Sequence, residues 1–304
     1  MNRKLIQHGM SSLTVSLPKR WTTEKNLKKG DEVEVEARKG SVVISAKKRH
    51  EHKSLILDVS GSGSMIRRMM GSAYKSGYDE MRIEFSSHEE LKTIQSLVRE
   101  QFMGFEIVKQ EKDVLMLENL SGNDFEEFNN ALRRFFFVIS NMGSEFLSAL
   151  ESNDPDWLKN TSLQKIESDK FADYCRRAIN LGIESGYERQ APLYTVIEQL
   201  EKVADRYAEL CALLSDGKKP SIALLRASKQ VVSFEKMFSD IFFKFEYGKM
   251  PLFGLEKQKT QRLIDDSMAS CPKAELKAFS ILDRVLNLVF DLNGPMMVCM
   301  HKKA

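Results

Sequence analysis

The sequence predicts a multidomain, mainly α protein: a small N-terminal β domain, a small α/β domain, then two three-helix bundles in tandem. Three observations carry this. Hydrophobic residues alternate with period two through residues 1–47, strand and helix patterns interleave from 54 to 120, and apolar residues recur at threes and fours from Asp124 onward. The 304 residues suffice for two or three domains of roughly 100–200 residues each. With 42% hydrophobic and 29% charged residues, the chain is neither disordered nor fibrous.

The elements follow in order. Leu13, Val15 and Leu17 share one face of a strand over Ser11–Leu17, and Pro18 ends it because proline cannot donate to a ladder. Lys19–Leu27 fits one or two helical turns. Lys29-Gly30-Asp31 turns the chain into a strand in which Val33 and Val35 alternate with Glu32, Glu34 and Glu36. Lys39-Gly40 turns it again into Val42-Val43-Ile44. A unit of this size has a marginal core, and pairing with a second copy is the economical remedy. Residues 48–53 are a polar linker. Strand 54–59, helix 64–75, strand 80–85, helix 88–102 and a hairpin of 105–109 with 114–118 then form a small α/β sandwich with its helices on one face, in the order βαβαββ.

Phe125, Phe128, Leu132, Phe135, Ile139, Met142, Phe146 and Leu150 mark a helix of nearly 30 residues, broken at Asp154-Pro155. Further helices are predicted over 163–183 and 193–214. After a break at Gly217–Pro220, three more follow over 222–247, 255–268 and 274–292. The repeated long–shorter–long pattern gives the two bundles. The domain boundaries are therefore 1–47, 54–120, 124–215 and 221–304.

Composition excludes several classes. No run approaches the roughly 20 apolar residues of a membrane span, and the N-terminus lacks a signal-peptide core, so a cytoplasmic protein without membrane insertion is expected. Cys175, Cys211, Cys271 and Cys299 are widely spaced with no C-x-x-C pair, and read as buried hydrophobes. The net charge of +3 is uneven. Residues 1–53 carry 13 Lys/Arg against 6 Asp/Glu, a balance of +7 that leaves −4 for the rest. A basic head on a slightly acidic body fits a polyanion partner.

Asp58-x-Ser60-x-Ser62 matches the D-x-S-x-S of metal-dependent adhesion sites, and Gly61 and Gly63 stand where phosphate loops place glycines. The segment is too short for a von Willebrand A domain, and its glycine spacing fits neither phosphate-loop fingerprint. It reads as a βα turn with Ser62 or Ser64 as a helix cap. No nucleophile–base pair, oxyanion loop or organic-cofactor fingerprint is present, so the chain reads as a non-enzyme.

Thr14-Val15-Ser16-Leu17-Pro18-Lys19-x-Trp21 followed by Leu27-x-x-Gly30-Asp31-x-Val33-x-Val35 resembles the AbrB/SpoVT/MazE family over residues 3–46. The resemblance implies a swapped-hairpin β dimer that binds double-stranded DNA. The residues themselves agree, because a dimer doubles Arg3, Lys4, Lys19, Arg20 and Lys25, a cluster able to neutralise phosphates and reach base edges. Trp21 reads as a packing anchor for the short helix.

Asp169 and Asp173 lie at i,i+4 on one helix face, as do Glu201 and Asp205. Like charges at that spacing repel unless a cation intervenes, and carboxylates suit Mg, Ca, Mn or Fe. The competing reading is ordinary pairing through Lys165–Asp169, Asp173–Arg177 and Lys202–Asp205. Glu167 lies on the opposite side of its helix from Asp169. Asn141-Met142-Gly143, Glu167-x-Asp169-x-x-x-Asp173 and Leu200–Asp205 together resemble the PhoU family of phosphate-uptake regulators. That resemblance implies tandem bundles, a metal at Asp169, Asp173, Glu201 and Asp205, and a role in phosphate homeostasis. Basic head and PhoU-like body together look like the composite regulators of archaea. Leu282–Asn287 aligns with Leu200–Asp205, so Asn287 replaces Asp205 and a second metal site is not expected. The leading expectation is a homodimeric DNA-binding transcriptional regulator. The alternative is a cytosolic adaptor whose bundles contact a phosphate transporter or signalling protein and whose head only dimerises.

Overall fold

The computed structural model describes residues 3–9, 12–38, 41–46, 52–121, 125–183, 187 and 189–300. The predicted turn at Lys39-Gly40, linker residues 48–51 and the helix start at Asp124 lie outside them. The chain is mainly helical, with a small N-terminal β region and a helical C-terminal body. It divides into two units, Met1–His52 and Lys53–Ala304.

In the first unit β1 (Ile6–His8) pairs antiparallel with β2 (Ser12–Thr14), and β3 (Val33–Arg38) with β4 (Ser41–Ala46). Between them α1 spans Lys19–Glu24, entered from Pro18 in extended conformation. It ends three residues before the predicted Leu27 because Asn26 turns left-handed at φ 52°, which a helix cannot continue. Strand β2 is also shorter than its apolar pattern. Leu5, Ile6, Leu13, Val15, Val35 and Val42 are all exposed, and two-stranded ribbons of this kind do not hold themselves together in water.

The second unit opens with β5 (Ser54–Asp58), α2 (Ile66–Lys75), β6 (Glu80–Glu84), α3 (His88–Gln101), β7 (Phe105–Gln110) and β8 (Val114–Asn119). The sheet order is β5-β6-β8-β7, parallel between β5 and β6 and antiparallel elsewhere. Period-two alternation buries Met81 and Ile83 of β6 and Leu115 and Leu117 of β8 in one core with Met70, Tyr74, Ile94 and Leu97 of the helices. A capping box starts α3: Ser87 Oγ accepts from Glu90 N, and Glu90 Oε2 accepts from Ser87 N. The expected cap at Ser62 or Ser64 is not made. Neither side chain caps a helix; the βα turn is held instead by Asp58 Oδ1 accepting from Ser60 N and Glu90 Oε1 accepting from Gly61 N.

The helical body comprises α4 (Phe125–Ser152), α5 (Pro155–Asn180), α6 (Gln190–Leu214), α7 (Ile222–Phe243), α8 (Met250–Ser270), α9 (Leu276–Asp291) and α10 (Asn293–Met300). Helix α5 begins eight residues before the predicted Leu163. Asp154 Oδ1 accepts from Asp156 N and Trp157 N at 3.0 Å, and Pro155 takes the first helical position, where its missing N–H costs nothing. The last predicted helix is α9, and a further helix that was not predicted, α10, follows it; Pro295, which cannot donate back to the Asp291 carbonyl, marks the break between them. Helices α4, α5 and α6 pack pairwise, as do α7, α8 and α9. In addition α4 meets α7, and α6 meets both α9 and α10. One hydrophobic core runs through both trios. Phe136 of α4 stacks on Phe242 of α7 with ring centroids 4.5 Å apart. Gly143 lets α4 approach α6, since a Cβ there would stand 3.1 Å from the Tyr207 ring.

Helix α5 also fastens the α/β layer to the helices. Arg177, 1% exposed, donates from Nη1 to Tyr74 O at 2.8 Å and lies over the rings of Tyr74 and Phe105. Asn180 Nδ2 donates to Lys75 O. Cys175, Cys211 and Cys299 are buried and Cys271 half-buried, all as free thiols. Among the described residues no helix is long and apolar enough to cross a membrane.

Candidate nucleic-acid interface and the charged helix seam

The five basic residues assigned to DNA are all exposed. Arg3 and Lys4 lead into β1, Lys19 and Arg20 form the first turn of α1, and Lys25 is its C-cap residue. Arg20 Nε is tied to Glu24 Oε1 at 2.8 Å one turn along, an exposed pair of small energetic weight that a phosphate can displace. Lys28 N donates to Asp31 Oδ2 at 2.6 Å, and Gly30 adopts φ 97°, so the Gly-Asp turn is fixed from within. Trp21 is half-buried.

The four carboxylates assigned to a metal do converge on one seam, between α5 and α6, and protein cations occupy it. Lys165 Nζ stands 2.6 Å from Asp169 Oδ2 and 3.0 Å from Asp205 Oδ1. The Arg176 guanidinium reaches Asp173 at 2.7 Å, Glu201 at 2.5 Å and also Glu198. Lys75, from α2, adds a further pair to Asp173 at 2.9 Å. Of the pairings read from spacing, Lys165–Asp169 is made. Asp173 takes Arg176 instead of Arg177, and Asp205 takes Lys165 instead of Lys202. Glu167 points away to Arg134 at 3.2 Å.

Burial governs the titration of this seam. It pushes the Glu201 carboxyl up to about 7, against the pull of Arg176. Burial likewise raises Asp169, with Lys165 opposing. Lys165 is depressed by burial, yet its bonds to Asp169 and Asp205 leave it above its ordinary value. Among the described residues no group of three or more His, Cys, Asp or Glu is arranged to hold a metal ion. Each of the four carboxylates thus lies within ion-pair distance of Lys165 or Arg176. In the second trio, Asp283 and Asp265 are both bound by Gln261 Nε2, at 2.7 and 3.1 Å.

Sequence reasoning missed Arg176, Glu198 and Lys75. Asp173–Arg176 at i,i+3 was a usable local signal; the bonds from α5 to α6 and α2 have no sequence signature.

The chain thus combines a basic, β-rich N-terminal unit with a second unit whose helical body is threaded by ion pairs. The family model described as antidote-toxin recognition MazE, bacterial antitoxin, matches residues 9–52, so the N-terminal unit is MazE-like. No curated protein and no solved structure matches the chain.

Proposed function

We propose that the protein is a homodimeric, non-enzymatic transcriptional regulator that grips duplex DNA through its N-terminal unit. The carrying observation is the MazE-like segment 9–52, with Arg3, Lys4, Lys19, Arg20 and Lys25 exposed on and beside it. The exposed Leu13, Val15, Val35 and Val42 support the dimer, since pairing with a second copy gives these side chains a core. The finer reading, a PhoU-like body that ties regulation to phosphate supply and contacts a transporter or signalling protein, rests on the helix motifs of the sequence.

If the head binds DNA electrostatically, log affinity falls linearly with log salt, by ~0.9 per phosphate contact. Lys19→Ala with Arg20→Ala is expected to flatten that slope in a filter-binding or anisotropy titration. A slope unchanged by the double substitution moves the interface elsewhere and favours the adaptor reading.

The ion pairs of the α5–α6 seam bear on the metal. Removing metal with a chelator is expected to leave Tm unchanged, because each of the four carboxylates already has a protein cation in contact, from Lys165, Arg176 or Lys75. A fall of several degrees, with Mg, Ca, Mn or Fe found by elemental analysis, would place a metal at Asp169, Asp173, Glu201 and Asp205.

A further inference from the structure

We propose that the cleft between α6 and α9 is a binding site for a small organic phosphate. The cleft holds about 330 Å³ and is lined by Lys202, Arg206, Arg284, Asn287, Leu288 and Asp291. That volume is at the lower end of the range for small-molecule sites, about 300–1,000 Å³, and exceeds what a bare phosphate fills.

Its charge sets it apart from the α5–α6 seam. There, every carboxylate of the cluster has a cation. Here Lys202, Arg206 and Arg284 line the cleft with one carboxylate, Asp291, and Glu209 pairs with Arg206, so one positive charge is left over. Arg206 is paired with Glu209 at 2.6 Å, so the unpaired positive charge of the cleft rests on Lys202 and Arg284. Lys202 and Arg284 have no ion-pair partner among the described residues, and both are exposed to an incoming ligand.

The imbalance has a source in the sequence. Leu200–Asp205 of α6 aligns with Leu282–Asn287 of α9, so Lys202 and Arg284 occupy the same register on two facing helices. They approach the cleft from opposite walls. The aligned acidic position, Asp205 in α6, is turned to Lys165. Its counterpart in α9 is the uncharged Asn287, whose Nδ2 donates to Asp283 O. The substitution that removes a carboxylate from the second trio therefore leaves a cationic cleft. Arg and Lys placed on two sides suit a phosphate, which accepts on several oxygens at once. Leu288 and the aliphatic stems of Lys202 and Arg206 offer an apolar wall for the organic part.

This site is independent of the DNA-binding reading, and its test keeps the two apart. The full-length protein is titrated calorimetrically with adenosine 5′-monophosphate, inorganic phosphate and adenosine at constant ionic strength. Saturable binding of the monophosphate, one per chain, is expected, with inorganic phosphate weaker and adenosine without measurable heat. Equal affinities for the two phosphates would assign the site to the free anion. Lys202→Ala with Arg284→Ala is expected to weaken binding at least ~tenfold, or ~1.4 kcal/mol, and Asp291→Asn to tighten it. Both changes are at exposed side chains and leave the core intact. Lys19→Ala with Arg20→Ala is expected to leave the titration unchanged. The proposal falls if neither phosphate binds saturably, if adenosine binds as well as its monophosphate, or if the head substitutions abolish binding while the cleft substitutions do not.

Discussion

Replacing Arg176 with methionine is expected to destabilise the helical body by about 3–5 kcal/mol, the range for removing one partner of a buried ion pair. The side chain is 5% exposed and serves Asp173, Glu198 and Glu201 together. Without it Asp173 keeps Lys75, whereas Glu201 keeps none of the ion pairs described above. Its carboxyl, already raised to about 7 by burial, then moves further up. Arg176→Lys is expected to recover only part of the loss, because an ammonium cannot fork between two helices. Adding Glu201→Gln to Arg176→Met should recover stability, since it removes the charge left behind. Thermal or urea unfolding decides the matter. A cost below about 1 kcal/mol, the scale of exposed pairs, would show that the seam is screened by water.

Glu235→Gln is expected to stabilise the protein near pH 8 and to remove part of its pH dependence. Glu235 is fully buried on α7, where Ser140 Oγ of α4 and Ser239 Oγ donate to its Oε1 at 2.9 and 3.0 Å, while Oε2 has no hydrogen-bond partner among the described residues. The buried Tyr207 of α6 is a further polar neighbour, and Asp240 and Lys236 are the charged groups acting on Glu235. Burial pushes the carboxyl from 4.5 up to about 7, the two serine bonds opposing. A folded-state pKa above the unfolded one means that the folded protein binds the extra proton. The stability is thus complete below about pH 4.5 and is lost as pH rises towards about 7. At about 1.36 kcal/mol per pH unit, the loss is on the order of 3 kcal/mol. Glutamine keeps the acceptor for both serines and carries no charge. Glu201, raised in the same sense, leaves a residual slope in the variant. Parallel stability–pH curves for the two proteins between pH 5 and 8 would contradict an ionisable Glu235 in the core.

These two residues show where sequence reading stops. The serine–glutamate contact joins α4 to α7, positions 95 apart in the chain, and Glu235 sits in a helix pattern that gives no hint of a fully buried acid. Arg176 and Arg177 are adjacent arginines in the sequence. One bridges α5 to α6 and the other anchors α5 to the α/β layer. Only the direction in which each leaves the helix separates their roles.

What the sequence by itself determined is the part of the structure that rests on local periodicity. Alternation of Met81 and Ile83 with polar neighbours is enough to make β6 a one-sided strand. The apolar stripe from Phe128 to Leu150 is enough to make α4 a long helix with one buried face. The Leu-Pro-Lys-x-Trp and Gly-Asp signals marked the MazE-like unit for the same reason, since turn and cap chemistry act within a few residues. Tertiary structure alone decided that the two helical trios share one core through Phe136 and Phe242, that Lys165 and Arg176 fill the carboxylate seam, and that Lys202 and Arg284 face one cleft. Each of these depends on which helix faces meet across long stretches of chain. Spacing within one helix fixes the charges on a face, and only packing decides whether the facing helix brings a cation, a carboxylate or open space.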